Sequence, residues 1–202
     1  MTIDRRLVAP ATARNRDPIL DVLRRELPPR GTVLEVASGT GEHVVYFGAA
    51  LPALIFRPSD PEPGARASID AWIADSGVIN VLPAVALDAA APSWPIAAAD
   101  AVLCINMVHI SPWAATLGLV AGAARILPPG GLFYLYGPYK RGGRHTAPSN
   151  EAFDQNLRAR DPQWGIRDIE SVAAAAQEAG FSAPTIIEMP ANNLSLILRR
   201  LG

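Results

Sequence analysis

The sequence predicts an α/β fold, a Rossmann-like three-layer sandwich whose seven-stranded, mostly parallel sheet carries one antiparallel strand near its edge. Three observations point there. Short β-rich apolar runs alternate with helical stretches, the pattern of a parallel sheet covered by helices. The run 33–36 ends in a turn of small residues, Ala37 to Gly41, that opens onto a helix. The last two strand-like runs, 185–189 and 194–199, are joined by a link too short for a parallel crossover, so they form a hairpin and one of them must run against the rest.

Each element has a local reason. Residues 1–16 read as an irregular N-terminal arm and 17–202 as a single domain. Asp17 and Pro18 read as a helix start, with aspartate as N-cap and proline at the first helical position, and Pro28-Pro29 stops that helix. Residues 32–37 are the first strand, followed by a helix over 42–50. Residues 54–57 are the second strand, with a helix over 65–75 after it. The runs 80–86 and 100–106 are strands three and four. Ser111-Pro112 caps a helix that reaches 127, and 131–136 is strand five. Residues 137–150 (GPYKRGGRHTAPSN) form a polar, glycine-rich loop. A helix over 168–179 ends at Gly180 as its C-cap.

Composition narrows the function classes. The 202 residues are 50% apolar and 18% charged, which is enough for one domain with its own core. A net charge of −1 with no basic block argues against a nucleic-acid partner. The one cysteine, Cys104, lies in an apolar run and reads as a buried core thiol, so no disulfide framework is expected. No apolar run approaches the roughly 18 residues of a membrane span. The N-terminus lacks the apolar stretch of a signal peptide, and the cytoplasm is the expected location. His43, His109 and His145 stand on separate segments without a metal-binding spacing, so no metal is expected.

The glycine turn is where a ligand is expected. Glu35, Ala37, Ser38, Gly39 and Gly41 follow the first strand in the pattern E-x-A-x-G-x-G. Glycines here let a ligand approach the backbone. A dinucleotide site would place a third, helix-packing glycine where Val44 stands, which disfavours NAD or FAD and a nucleotide-dependent oxidoreductase. Asp60 follows the second strand and Asp88 the third. In this fold class the first position meets a ribose diol, and the second lies where an adenine amino group would be. Either aspartate alone is equally a turn residue; the three acids in this order, with the glycine turn, indicate an adenosine ligand.

Beyond these positions, the chain carries RNRDPI at 14–19, EVASGTGEH at 35–43, PSD at 58–60, INMVHISPW at 105–113, LYGPY at 135–139, SNxxFD at 149–154, WGIRD at 164–168 and MPANN at 189–193. Over about residues 14–200 it resembles the DUF938 (UPF0585) family of predicted class I methyltransferases dependent on S-adenosylmethionine (SAM). The resemblance implies SAM as cofactor and S-adenosylhomocysteine (SAH) as product. It places Glu35 and the 39–41 turn around the methionine part, Asp60 at the ribose and Asp88 at the adenine. Ala37 departs from the general methyltransferase pattern, which has glycine there. Alanine tolerates φ > 0 poorly, so a shifted turn is expected.

Methyl transfer from a sulfonium needs alignment and exclusion of water more than a fixed catalytic triad. Candidate catalytic residues are Asn106 and His109 after strand four and Tyr139 after strand five. His109 reads equally as a base or as a satisfied core residue. Asn106 is also a candidate cofactor contact. Candidate substrate residues are Arg14 and Asn15 in the arm, Trp113, Arg141 and Arg144 of the polar loop, and Asn192, which also reads as a turn residue. The expected function is methyl transfer to a small-molecule acceptor. The alternative, a non-catalytic SAM-binding or protein-interaction protein, would keep Gly39, Gly41 and Asp60 without an acceptor pocket.

Overall fold

Side chains point to alternate faces along the strands, so each strand feeds two cores. The computed structural model describes residues 4–202. In β1 (Gly31–Val36), Val33 enters one core while Leu34 and Val36 enter the other. In β3 (Ala101–Ile105), Ala101, Leu103 and Ile105 face the first core, and Val102 and Cys104 the second. Both faces are apolar because both are covered, as a parallel sheet between helix layers requires. The helices α1 (Pro10–Glu26), α2 (Glu42–Ala50) and α3 (Pro63–Ser76) cover the first face through Leu23, Phe47 and Ile69. The helices α4 (Trp113–Ile126) and α6 (Ile169–Glu178) cover the second through Leu119 and Val172. Cys104 is fully buried there, and burial pushes its thiol up to about 12, in keeping with a core role.

With β2 (Leu54–Ser59), β4 (Leu132–Gly137), β7 (Thr185–Met189) and β8 (Asn193–Arg199), the sheet runs β2-β1-β3-β4-β8-β7. Strands β2, β1, β3 and β4 pair in parallel, and β8 is antiparallel to both β4 and β7. The reversed strand is thus β8, one place in from the edge, as the short link after β7 demands.

The sheet has six strands rather than seven. Residues 80–86 lie along the outer side of β2 but make only two isolated bridges, Phe56 to Val81 and Ser59 to Val85. Pro83 between them has no N–H to donate, and Pro58 facing them has none either. The segment holds the seventh position without a continuous ladder.

Two further expectations are corrected. The first helix starts at Pro10, not at Asp17, and Pro18 lies inside it. Pro10, not Pro18, occupies the first helical turn. Pro18 costs the helix one N–H, and the apolar face of Ile19, Val22 and Leu23 packed on α2 holds it. Only residues 4–9 of the described arm are irregular; residues 1–3 of that arm lie outside the described residues. The polar stretch after β4 is also not an open loop. It forms a hairpin of β5 (Lys140–Arg141) and β6 (Arg144–His145), then the helix α5 (Pro148–Arg160).

Candidate functional site

The glycine turn is tied at both ends. The Ser38 N–H donates to Ser59 O at 2.8 Å, and the Ser59 hydroxyl donates to Glu35 O at 2.8 Å. These bonds lock the carboxyl ends of β1 and β2 together. Ala37 stays in the turn by taking a left-handed φ of 58°. The cost, about 1–2 kcal/mol for an L-residue, is offset by the bonds around it. Gly41, at φ 91°, allows no side chain, because a Cβ would stand 2.7 Å from the Ile69 Cα. Gly39, at φ 57°, faces open space, with nothing within 4 Å of a Cβ position.

Asp60 stands against that turn. The Asp60 Oδ2 accepts from the Gly39 N–H at 3.0 Å and its Oδ1 from the Glu62 N–H at 3.0 Å. Burial raises the Asp60 carboxyl above its usual range, against the pull of those N–H groups. Glu35 is fully buried, its Oε2 has no partner among the described residues, and burial pushes its carboxyl up to about 7. Asp88 is exposed, and its side chain accepts from the Ala90 N–H at 2.9 Å in a turn. Ser38 turns its hydroxyl inward to Glu35 O and the Ser59 N–H.

The arm crosses this turn. The Ala9 N–H donates to the Glu42 carboxylate at 2.6 Å, and the Ser68 hydroxyl accepts from the Leu7 N–H while donating to Thr40 O. Helix α1 is fixed to α2 by the 2.8 Å contact between the His43 Nε2 and the Asn15 Oδ1. Burial, with Arg16 nearby, lowers His43 to about 4. Neutral His43 then donates from Nε2, which leaves the Asn15 amide group for other partners. Sequence reasoning missed this role of His43; its position one residue after a helix-opening glutamate gave no sign of a partner on α1.

A cavity of about 710 Å³ opens on the other side of α1. Its walls include Arg14 and Asn15 from α1, Asn106 and His109 after β3, Tyr136 of β4, Phe153 of α5 and Asn192 before β8. Because Val36 pairs with Cys104, the turns that follow β1 and β3 leave the sheet side by side. Asn106 therefore follows the strand next to the one that leads into the glycine turn, and it lines the cavity. The volume suits a small molecule.

His109 is 4% exposed. Burial lowers it to about 4, with Arg167 adding to the effect. It stacks edge-on with Phe153 at 5.6 Å between centroids, and its ring nitrogens have no hydrogen bond among the described residues. Among the described residues, four non-glycine residues have positive φ: Ala37, Asn106, Ala191 and Asn192. One lies in the glycine turn and three line the cavity. Such backbone strain gathers where structure serves a site.

Four candidates do not line the cavity. Tyr139 is 1% exposed and packs in the core on the α4/α6 face. Trp113 packs against the same core and lines a separate cleft with Arg167 and Asp168. Arg141 pairs with Glu188 at 2.5 Å, and Arg144 is exposed on the hairpin. Lys140 and His145 of the loop are also engaged. Lys140 at 3.2 Å and His145 at 3.3 Å meet the buried Asp154 of α5, which also takes the Ile166 N–H at 2.6 Å. Helix α5 itself went unread because its buried positions are Asn150, Asp154 and Leu157, two of them polar; Pro148 at its start was the one local signal.

Among the described residues no helix is long and apolar enough to cross a membrane. Solved structures with the same architecture include methyltransferases. The apo form of SibL, a SAM-dependent methyltransferase, superposes with a TM-score of 0.78 at 23% identity, covering 95% of this chain and 56% of that one. An O-methyltransferase family protein from Burkholderia thailandensis gives 0.75 at 21% identity, over 95% and 58%. SAH-bound CalO1, a methyltransferase in calicheamicin biosynthesis, gives 0.73 at 16%, over 92% and 54%. This chain thus spans a little over half of each. At such identities the likeness establishes the fold, which is that of the class I methyltransferases. The model of DUF938, a protein family of unknown function, matches residues 6–200, and the chain belongs to that family.

Proposed function

We propose that this protein is a SAM-dependent methyltransferase acting on a small-molecule acceptor. The observation that carries the reading is the cavity of about 710 Å³ lined by residues that follow β3 and β4, at the carboxyl ends of the parallel strands, where open α/β sheets bind their ligands. A protein that only held the cofactor would not need that cavity.

The turn fits the cofactor on its own chemistry. The open face at Gly39 admits a ligand backbone, and Asp60 is held in place to accept two ribose hydroxyls. Glu35, buried with an unpartnered oxygen, suits the methionine amino group, and Asp88 the adenine amino group. SAM supplies, when bound, an electrophilic methyl on a sulfonium. The rest falls to residues of this chain. Asn106, fixed in a left-handed turn between the two sites, holds the acceptor against the cofactor. Neutral His109 takes the proton that the acceptor gives up as its new bond to the methyl carbon forms. Asn15 and Asn192 orient the acceptor, and α1 and Phe153 keep water out. Tyr139, Trp113, Arg141 and Arg144 have no part in this scheme.

Isothermal titration of the protein with SAM and SAH, beside an Asp60→Ala variant, tests it. Micromolar binding that the variant loses is the expected result. An intact protein that binds neither compound would overturn the proposal and leave an interaction protein as the better reading.

A further inference from the structure

The cavity has a one-sided charge. Among the described residues none that lines it is an aspartate or glutamate, and Arg14 is the one lining cation at neutral pH. Arg14 is exposed and makes no ion pair among the described residues. The lysine and arginines of the nearby hairpin are not available, since Lys140 and Arg141 are paired and Arg144 lies outside the lining. The amino end of α1 adds to the same sign. Ala9 and Ala11 line the cavity, and α1 has no side-chain cap and no acid in its first turn. The Glu42 carboxylate meets the Ala9 N–H from behind, without lining the cavity. By its position the Ala11 N–H has no partner within the helix, and a helix start favours an anion. His109 is a second, independent pointer: a polar ring 4% exposed, without a hydrogen bond among the described residues, on the wall of this same cavity. Ile110, Tyr136, Pro138 and Phe153 add flat or apolar wall, and the polar remainder, five asparagines with Ser149, is uncharged.

We infer that the molecule this cavity takes is a small monoanion, an apolar or aromatic body carrying a carboxylate held by Arg14 and the amino end of α1, with a hydroxyl turned to His109. The inference rests on the proposed acceptor role of the cavity. A cationic amine has no counter-charge there, and a neutral isostere forgoes the charge-assisted bonds to Arg14.

Direct binding separates the two readings. Para-hydroxybenzoate, para-hydroxybenzamide and para-hydroxybenzylamine are titrated into the wild type, Arg14→Gln and Arg14→Lys, with and without saturating SAH. Thermal melting checks that the variants are folded. The benzoate is expected to bind about tenfold or more tightly than the amide, and the amine weakest. The preference disappears in Arg14→Gln, survives in part in Arg14→Lys, and shrinks with added salt. An amide or amine that binds as well as the benzoate, a preference that persists in Arg14→Gln, or no binding of any probe overturns the inference. Failure of SAH to bind in the same cells counts against the methyltransferase reading alone, because the benzoate preference is read without it.

Discussion

Replacing Glu35 by glutamine tests the electrostatics of the glycine turn. Burial pushes the Glu35 carboxyl from 4.5 to about 7, with Asp60 adding a smaller push and Ser38 opposing it. The folded protein therefore holds a proton on Glu35 that the unfolded chain releases near 4.5. Between those two values the native state binds more protons, so this group makes stability fall as pH rises. At about 1.4 kcal/mol per pH unit, the displacement from 4.5 to about 7 corresponds to about 3 kcal/mol, fully expressed above pH 7 and absent below 4.5. Glutamine keeps the shape and the neutral state. Glu35→Gln is thus expected to match the wild type at the acid end of the window and to exceed it by about 3 kcal/mol in mild alkali. The assay is urea denaturation across that pH range without cofactor. His43 and His109, lowered to about 4, give the opposite slope on acidification; they are common to both proteins and cancel in the difference. A difference that stays constant with pH, or that favours the wild type in alkali, would refute the reasoning.

Three further outcomes follow from the same structure. Methyl transfer, once an acceptor is in hand, should be flat across neutral pH and fall only towards about pH 4, because burial and Arg167 keep His109 neutral above that value; an acid limb near 6.5 would mean a solvated imidazole. His109→Gln should slow turnover about 10²- to 10⁴-fold while SAH titration stays unchanged. Asp154→Ala should destabilise the fold by about 3 kcal/mol, since Lys140, His145, Arg158 and the Ile166 N–H all meet that carboxylate; amide hydrogen exchange should rise over the 140–145 hairpin, and a variant as stable as the wild type would show the cluster to be ornamental.

Much of the framework was legible because it is written in local patterns. The short β-rich runs at 33–36 and 101–105 become strands sandwiched between helices, and the turn needs Gly41 because Ile69 leaves no room for a side chain. Asp60 follows the second strand in sequence, and the parallel pairing of β1 with β2 brings it to Gly39. The short link before residues 193–199 requires a reversed strand whatever the rest of the chain does.

Tertiary structure decided what depends on distant partners. Whether 80–86 completes a ladder depends on two prolines in different segments meeting face to face, and whether Pro18 breaks a helix depends on the core beneath Ile19 and Leu23. Helix α5 forms around Asp154, whose burial is stabilised by Lys140 of a hairpin and by a backbone N–H twelve residues on. Ala37 could be recognised as a misfit from sequence, but only the bonds among Ser38, Ser59 and Glu35 show why it is tolerated. The cavity is the fullest case: α1, the turn after β3, α5 and the turn before β8 each supply a wall. No single segment encodes its charge, because Arg14 stands alone there only after Lys140 and Arg141 have found their carboxylates elsewhere.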